Sequence, residues 1–250
     1  MFNILKIKIN QGSQTIKDIK KAVVNENHRG LPVINCADSC KNCDECQKIC
    51  PTGAIFSNPI AIDMGKCVFC GDCARKCPEN AIKLTDYYKL AATSRENLIV
   101  TGNRDNFEKF AVQARKEIKD KFGRSLKLRS VSAGGCNGCE MELNACSNVN
   151  FDMGRFGIEF AASPRHCDGL VITGPVTENM AQPIEDTFLS IPDPKIIIAA
   201  GACAISGGIF LSSKALNRDF FKKHKVDLYI PGCPTHPLTF INGILSFLGR

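Results

Sequence analysis

The chain has 250 residues, 15 cysteines, no tryptophan and a formal net charge of +7. Its length allows one or two domains, and 44% hydrophobic with 23% charged residues is a globular mix that excludes wholesale disorder. No apolar run approaches the roughly 18 residues of a membrane span, and residues 1–6 lack a signal-peptide h-region. A reducing cytoplasm is therefore expected, where disulfides are rare. The odd cysteine count also disfavours a disulfide framework and points to metal binding. A basic chain raises nucleic acid as a partner, a reading that depends on where the charge and the cysteines lie.

Residues 1–30 form a lead segment with six Lys/Arg against two acids. Nine cysteines then fall between Cys36 and Cys77, none between residues 80 and 135, and six from Cys136 onward. This spacing predicts two metal-bearing modules separated by a cysteine-free connector over 86–125. Charge follows the same division. Residues 87–130 carry eleven basic against five acidic residues, whereas 31–85 are balanced at six each and 131–250 carry nine against eleven. The excess positive charge belongs to the lead and the connector.

Within 31–85, Cys40-x2-Cys43-x2-Cys46-x3-Cys50-Pro51 repeats 27 residues later as Cys67-x2-Cys70-x2-Cys73-x3-Cys77-Pro78. The flanks repeat too, since residues 51–55 (PTGAI) match 78–82 (PENAI). A cubane 4Fe-4S cluster takes one thiolate on each iron, and a cysteine at every third residue reaches three corners. In the two-cluster arrangement the fourth cysteine of each run serves the other cluster. One site is then Cys40, Cys43, Cys46 and Cys77, and the other Cys67, Cys70, Cys73 and Cys50. Zinc is the competing metal, but zinc knuckles use two C-x2-C pairs across a longer loop and do not need this run twice. The segment resembles bacterial-type ferredoxins. Cys36 lies outside both runs and reads as a packed residue.

The connector reads as a helix. Phe107, Phe110, Ala111, Ala114, Ile118 and Phe122 fall at helical spacing, Asp105 suits the N-cap with Glu108 three residues on, and Gly123 suits the stop. One apolar stripe predicts docking on one of the modules. Its opposite face, with Arg115, Lys116, Lys119 and Lys121, reads either as solvated or as a dock for an acidic subunit or anionic lipid.

From residue 126 the pattern becomes α/β. Apolar runs at 126–131, 169–173, 195–200 and 226–230 read as strands, with a helix over 179–189, which predicts a parallel sheet. Ligands of such sheets sit at loops after the strands' carboxyl ends. Cys136 and Cys139 (C-N-G-C), Cys203 and Cys233 all follow predicted strands. Two, one and one thiolates from converging loops are enough for another cubane, and the glycines near each let backbone approach. No Walker loop, dinucleotide fingerprint or Ser/His/Asp arrangement is present.

Residues 126–248 resemble the small subunit of energy-converting (group 4) NiFe hydrogenases, including that of formate hydrogenlyase, and the homologous complex I subunit carrying the terminal iron–sulfur cluster. The carrying segments are 136–140, 155–158, 163–166, 171–177, Met180, 194–195, 201–208 and 231–234, in family order. The resemblance implies that Cys136, Cys139, Cys203 and Cys233 hold a proximal 4Fe-4S cluster on a flavodoxin-like fold. The whole then reads as an α+β ferredoxin-like two-cluster module (31–85) followed by an α/β flavodoxin-like parallel-sheet domain (126–250). Complex I has two adjacent cysteines at the first position. Here they are split by Asn137 and Gly138, which favours the hydrogenase branch. Two further departures are Pro234-Thr235 where the family often has two prolines, and a Lys/Phe-rich stretch over 213–225 in place of a Gly-rich link.

What the resemblance implies is an electron-transfer subunit with three 4Fe-4S clusters. Such a subunit works between a ferredoxin or another redox subunit and a hydrogenase-type catalytic large subunit. It would sit beside membrane-arm subunits, peripheral on the cytoplasmic face of the membrane. It lacks a catalytic centre of its own. A quinone-reducing complex without a Ni–Fe centre is the alternative, and a zinc or nucleic-acid-binding protein the reading from another class. Three cubanes, each about −2 when oxidised with four thiolates, bring the charge close to neutral and weaken the case for nucleic acid. Glu140 and Glu142 read as cluster-tuning or interface carboxylates, and Arg165 and His166 as cluster neighbours or surface groups. His236 is not needed as a ligand, and Cys146 and Cys167 read as structural.

Overall fold

The computed structural model describes residues 2–35, 40, 43–57, 59–108, 112 and 116–250. Five short strands build the N-terminal half: β1 (Pro32–Ile34), β2 (Ile55–Ser57), β3 (Ile60–Asp63), β4 (Ile82–Leu84) and β5 (Ile99–Val100). β1 pairs antiparallel with β4, and β2, β3 and β5 form a second antiparallel sheet. The cysteine-rich runs lead into two short helices, α2 (Glu45–Lys48) and α3 (Asp72–Lys76). The 27-residue sequence repeat is thus a structural repeat, in which Ile55 and Ile82 open equivalent strands and are both buried.

The C-terminal half carries β6 (Leu126–Ser132), β7 (Ile158–Phe160), β8 (Gly169–Thr173), β9 (Ile196–Ala200) and β10 (Leu228–Ile230). All pairs are parallel, in the order β10-β9-β8-β6-β7. Counted along this half the order is 2-1-3-4-5, the flavodoxin-like arrangement. β8 and β9 are buried at every residue, which their unbroken apolar runs require of strands covered on both faces. β7 interrupts its apolar pattern with Glu159 and gave no strand signal.

Alternate residues of this sheet enter two cores. Leu128, Val171, Ile196 and Ile198 meet Leu143, Phe240, Ile244 and Phe247 on one face. Leu170, Ile172, Ile197 and Ala199 meet Leu31, Met64, Phe69 and Leu98 on the other. The N-terminal half therefore supplies part of the layer that covers the sheet's second face. A two-way backbone exchange fastens it, with Ala92 N–H donating to Tyr229 O at 2.9 Å and Tyr229 N–H to Ala92 O at 2.8 Å.

The remaining helices are α1 (Phe2–Gln11), α4 (Arg104–Glu108), α5 (Lys116–Phe122), α6 (Gly138–Ala145), α7 (Glu178–Ser190), α8 (Ala202–Ser206), α9 (Asp219–Lys223) and α10 (Pro237–Phe247). The single connector helix expected over 105–123 is, in the described residues, two. Asp105 lies inside α4 rather than capping it, while Gly123 does follow the last turn of α5, its N–H donating to Lys119 O at 2.9 Å. The two apolar anchors part company: Phe107 packs in the core shared with the N-terminal half and Phe122 in the other. Phe110, Ala111, Ala114 and Arg115 lie outside the described residues, as does Cys36. α10 is apolar nearly all round and buried, starting at Pro237 with His236 as its cap. Among the described residues no helix is long and apolar enough to cross a membrane.

Candidate iron–sulfur sites

The N-terminal thiols fall into two neighbourhoods, each built from both runs. Cys46 is buried, and burial raises its thiol above the usual range, with Cys43 and Cys77 close enough to push it further. Cys67 is pushed up to about 12 by burial, then by Cys73, Cys50 and Cys70. Cys73 is pushed up to about 11 by burial and by Cys70, Cys50 and Cys46. The fourth cysteine of each run is therefore brought to the other run. Cys40 occupies a half-buried turn whose carbonyl accepts from Cys43 N–H at 3.3 Å.

Cys50, Cys67, Cys70 and Cys73 line one cavity, closed by the apolar walls of Ile55 and Ile62. Four thiols around one apolar-walled space suit a cubane, whose thiolates stand on separate irons. Burial makes Cys67 and Cys73 resist ionisation, whereas a cationic core removes that cost, since metal binding releases the thiol protons.

The repeat also delivers backbone donors. Ala54 N–H donates to Cys50 Sγ at 3.2 Å, and its repeat mate Ala81 N–H to Cys77 Sγ at 3.3 Å. Phe69 N–H donates to Cys67 Sγ at 3.3 Å. Such N–H···S bonds are a lever on cluster potential. The repeated alanines were visible in the sequence, but nothing there showed that their amides serve the sulfurs.

In the C-terminal half Cys136 and Cys139 follow β6, Cys203 follows β9 and Cys233 follows β10. The three loops meet at the sheet's carboxyl edge. Cys203 is pushed up to about 11 by burial and then by Cys233, Cys139 and Cys136. Cys139 is pushed up to about 11 by burial, against the backbone N–H and hydroxyl of Thr235, which favour its ionised form. That N–H exists because Thr235 stands where the family often has a second proline, which has none to give. Gly201, with φ of +90°, approaches so closely that a Cβ there would lie 2.6 Å from Cys139 Sγ.

Burial raises the Cys233 thiol, as do Cys136 and then Cys70 of the N-terminal half. The third thiol group thus adjoins the second. A cavity of about 210 Å³ beside Cys233 is lined also by His28, Phe69, Glu142 and His236. His236 accepts Leu238 N–H on Nδ1 at 3.1 Å, and burial, then His28, lowers it to about 4.

Other candidates are placed elsewhere. Glu140 accepts from buried Thr173 Oγ1 at 2.5 Å, and burial raises the carboxyl of Glu142. Arg165 and His166 are exposed on a turn before β8. Parallel pairing puts them at the sheet's amino edge, opposite the cysteine loops. Cys146 and Cys167 are buried, their thiols donating to Glu142 O at 3.4 Å and Ser163 O at 3.3 Å.

Fold and cysteine chemistry together define an iron–sulfur oxidoreductase subunit. Residues 136–247 match the family described as NADH ubiquinone oxidoreductase, 20 Kd subunit, and residues 60–83 match the 4Fe-4S binding domain. The chain is 38% identical over 129 residues to the probable membrane-bound hydrogenase subunit mbhJ of Pyrococcus furiosus, covering 52% of this chain and 77% of that protein. It is 46% identical over 129 residues to formate hydrogenlyase subunit 7 of Escherichia coli, covering 52% of this chain and 51% of that one. Against a subunit of the NADH-quinone oxidoreductase of Clostridium beijerinckii it is 40% identical over 109 residues, covering 43% and 64% respectively. The solved structure of the membrane-bound sulfane sulfur reductase, an archaeal respiratory membrane complex, aligns with a TM-score of 0.45 at 34% identity over 50% of this chain and 70% of that chain. The chain belongs to the family of the NADH:ubiquinone oxidoreductase 20 kDa subunit, here preceded by a 4Fe-4S binding domain.

Proposed function

We propose that this chain is the electron-transfer subunit of a membrane-associated complex of the hydrogenase type, working between a ferredoxin-like carrier and a catalytic large subunit. Three 4Fe-4S clusters would supply one-electron transfer. Cys40, Cys43, Cys46 and Cys77 would hold one, Cys67, Cys70, Cys73 and Cys50 the second, and Cys136, Cys139, Cys203 and Cys233 the third. The observation that carries this reading is the adjacency of the thiol groups, Cys46 beside Cys73 and Cys70 beside Cys233. Ligand groups held near one another in one fold suit a wire.

The surface around the third group supports a partner. Cys136 and Cys233 are exposed, and Met141, Ile209 and Leu211 stand at least half exposed beside the cysteine loops. Apolar side chains beside exposed ligands suit a subunit interface. The cysteines split by Asn137 and Gly138 favour a hydrogenase-type partner over a quinone-reducing one.

Metal and sulfide analysis after anaerobic purification tests the reading. About 12 iron and 12 acid-labile sulfides per chain is expected from three cubanes. Zinc without sulfide overturns it, and about eight iron removes the C-terminal cluster. Gentle detergent extraction is expected to co-purify a large subunit with paired C-x2-C motifs, and a large subunit lacking them redirects the reading to a quinone-reducing complex.

A further inference from the structure

Arg218 lies in the Lys/Phe-rich stretch that departs from the family's usual link. Its guanidinium is partly buried and donates to four backbone carbonyls. Nη1 reaches Pro175 O at 3.1 Å and Cys203 O at 3.2 Å, and Nη2 reaches Ala204 O at 2.8 Å and Ile205 O at 3.1 Å. The Phe221 ring lies 4.6 Å from its Cζ. One side chain thus ties the loop after β8 to α8, which carries Cys203.

Four carbonyls take four of the guanidinium's five N–H donors but leave its charge unneutralised. Among the described residues no carboxylate is bonded to it. Arg95, the neighbouring cation, is already paired with Asp63 through bonds of 2.7 and 2.6 Å. A partly buried, unneutralised guanidinium is costly, and burial lowers its pKa to about 10 while Cys203 pulls it back up. Other arginines near the thiol groups differ. Arg29 and Arg75 both donate to Cys70 O, at 2.7 and 3.2 Å, but from exposed positions where water and salt screen them.

We propose that Arg218 is a positioning residue that holds the Cys203 loop and supplies the fixed counter-charge of the Cys136/Cys139/Cys203/Cys233 site, raising the reduction potential there. This rests on the ligand set proposed above. Reduction by one electron takes a cubane with four thiolates from about −2 to about −3. A cation fixed beside it in a poorly solvated site favours the more negative state.

The test is an EPR-monitored redox titration of the full chain, purified anaerobically with its partners, for Arg218→Gln and Arg218→Lys. The neutral variant is expected to make reduction of the C-terminal cluster at least tenfold less favourable, a downward shift of about 59 mV for one electron. The two N-terminal signals stay in place, and Arg218→Lys titrates like the parent. A fully loaded Arg218→Gln with an unmoved midpoint overturns the proposal, as does an Arg218→Lys midpoint displaced equally far. Should the neutral variant lose the cluster, its retention at the parental midpoint in Arg218→Lys supports the charge requirement, and loss in both overturns it. A parent chain with only about eight iron fails the ligand assignment instead.

Discussion

Gly201→Ala is the most discriminating single change at the third thiol group. Gly201 joins β9 to α8 with φ of +90° and ψ of 154°, a region open essentially to glycine alone. Another residue there costs about 1–3 kcal/mol in backbone strain. The new methyl would lie 2.6 Å from Cys139 Sγ, roughly 1 Å inside the 3.5–4.0 Å separation of atoms in good contact. Metal–ligand distances tolerate only about 0.2 Å, so the thiol is displaced by several times what a cluster accepts. Ligation is thus expected to fail before folding does. Iron should fall from about 12 to about 8 per chain, with the two ferredoxin-like EPR signals intact. Melting should drop about 4–8 °C for a loss of about 2 kcal/mol. A variant with full iron and an unchanged melt would refute the close approach of Gly201 to Cys139.

Three further outcomes are expected. Asp63→Ala leaves Arg95 without its partner in a site where Asp63 is 4% exposed, so a loss of about 3 kcal/mol, read as a melting decrease of about 6–12 °C, is expected from calorimetry. His236 titrates near 4 in the folded state, below its ordinary 6.5. The unfolded chain therefore binds the extra proton first, and the stability contributed by neutral His236 is present above pH 6.5 and lost as pH falls towards 4, by up to about 3 kcal/mol. His236→Asn, which keeps a helix cap, should flatten that part of the denaturation profile, and parallel profiles would count against it. Cys77→Ala should abolish the EPR signal of the Cys40/Cys43/Cys46 site and spare that of Cys67/Cys70/Cys73, and the reverse pattern would show that the fourth cysteines are not exchanged.

What the sequence made legible follows physical range. The cysteine runs announce themselves because cluster ligation fixes spacing locally. The strands at 169–173 and 195–200 do so because a doubly covered strand has no polar side to confuse the pattern. β7 is three residues with Glu159 facing out, too short for a period. The connector's apolar positions fit one helix, but Phe107 and Phe122 are buried in different cores, a division no local pattern carries. Thr235, Gly201 and Arg218 serve the third group through contacts that only the closed sheet creates. For Arg165 and His166 the sequence left cluster neighbour and surface group both open, and parallel pairing decides for the surface by sending them to the far edge of the sheet.

The shared core bears on why two modules sit in one chain. In a flavodoxin-like sheet both faces need cover, and here Leu31, Met64, Phe69 and Leu98 of the N-terminal half meet Leu170, Ile172 and Ile197 on one of them. Removing that half would expose an apolar face, so it does not behave as a bead on a linker, whose distance from its neighbour fluctuates. Phe69 shows the consequence at residue scale. It is buried in the shared core, its N–H donates to Cys67 Sγ, and the next residue, Cys70, adjoins Cys233. The packing that stabilises the sheet is the same packing that sets the separation of the second and third thiol groups. A change that loosens this core, such as Phe69→Ala at about 3–5 kcal/mol for a buried aromatic, therefore bears on both folding and the spacing on which the proposed electron transfer depends.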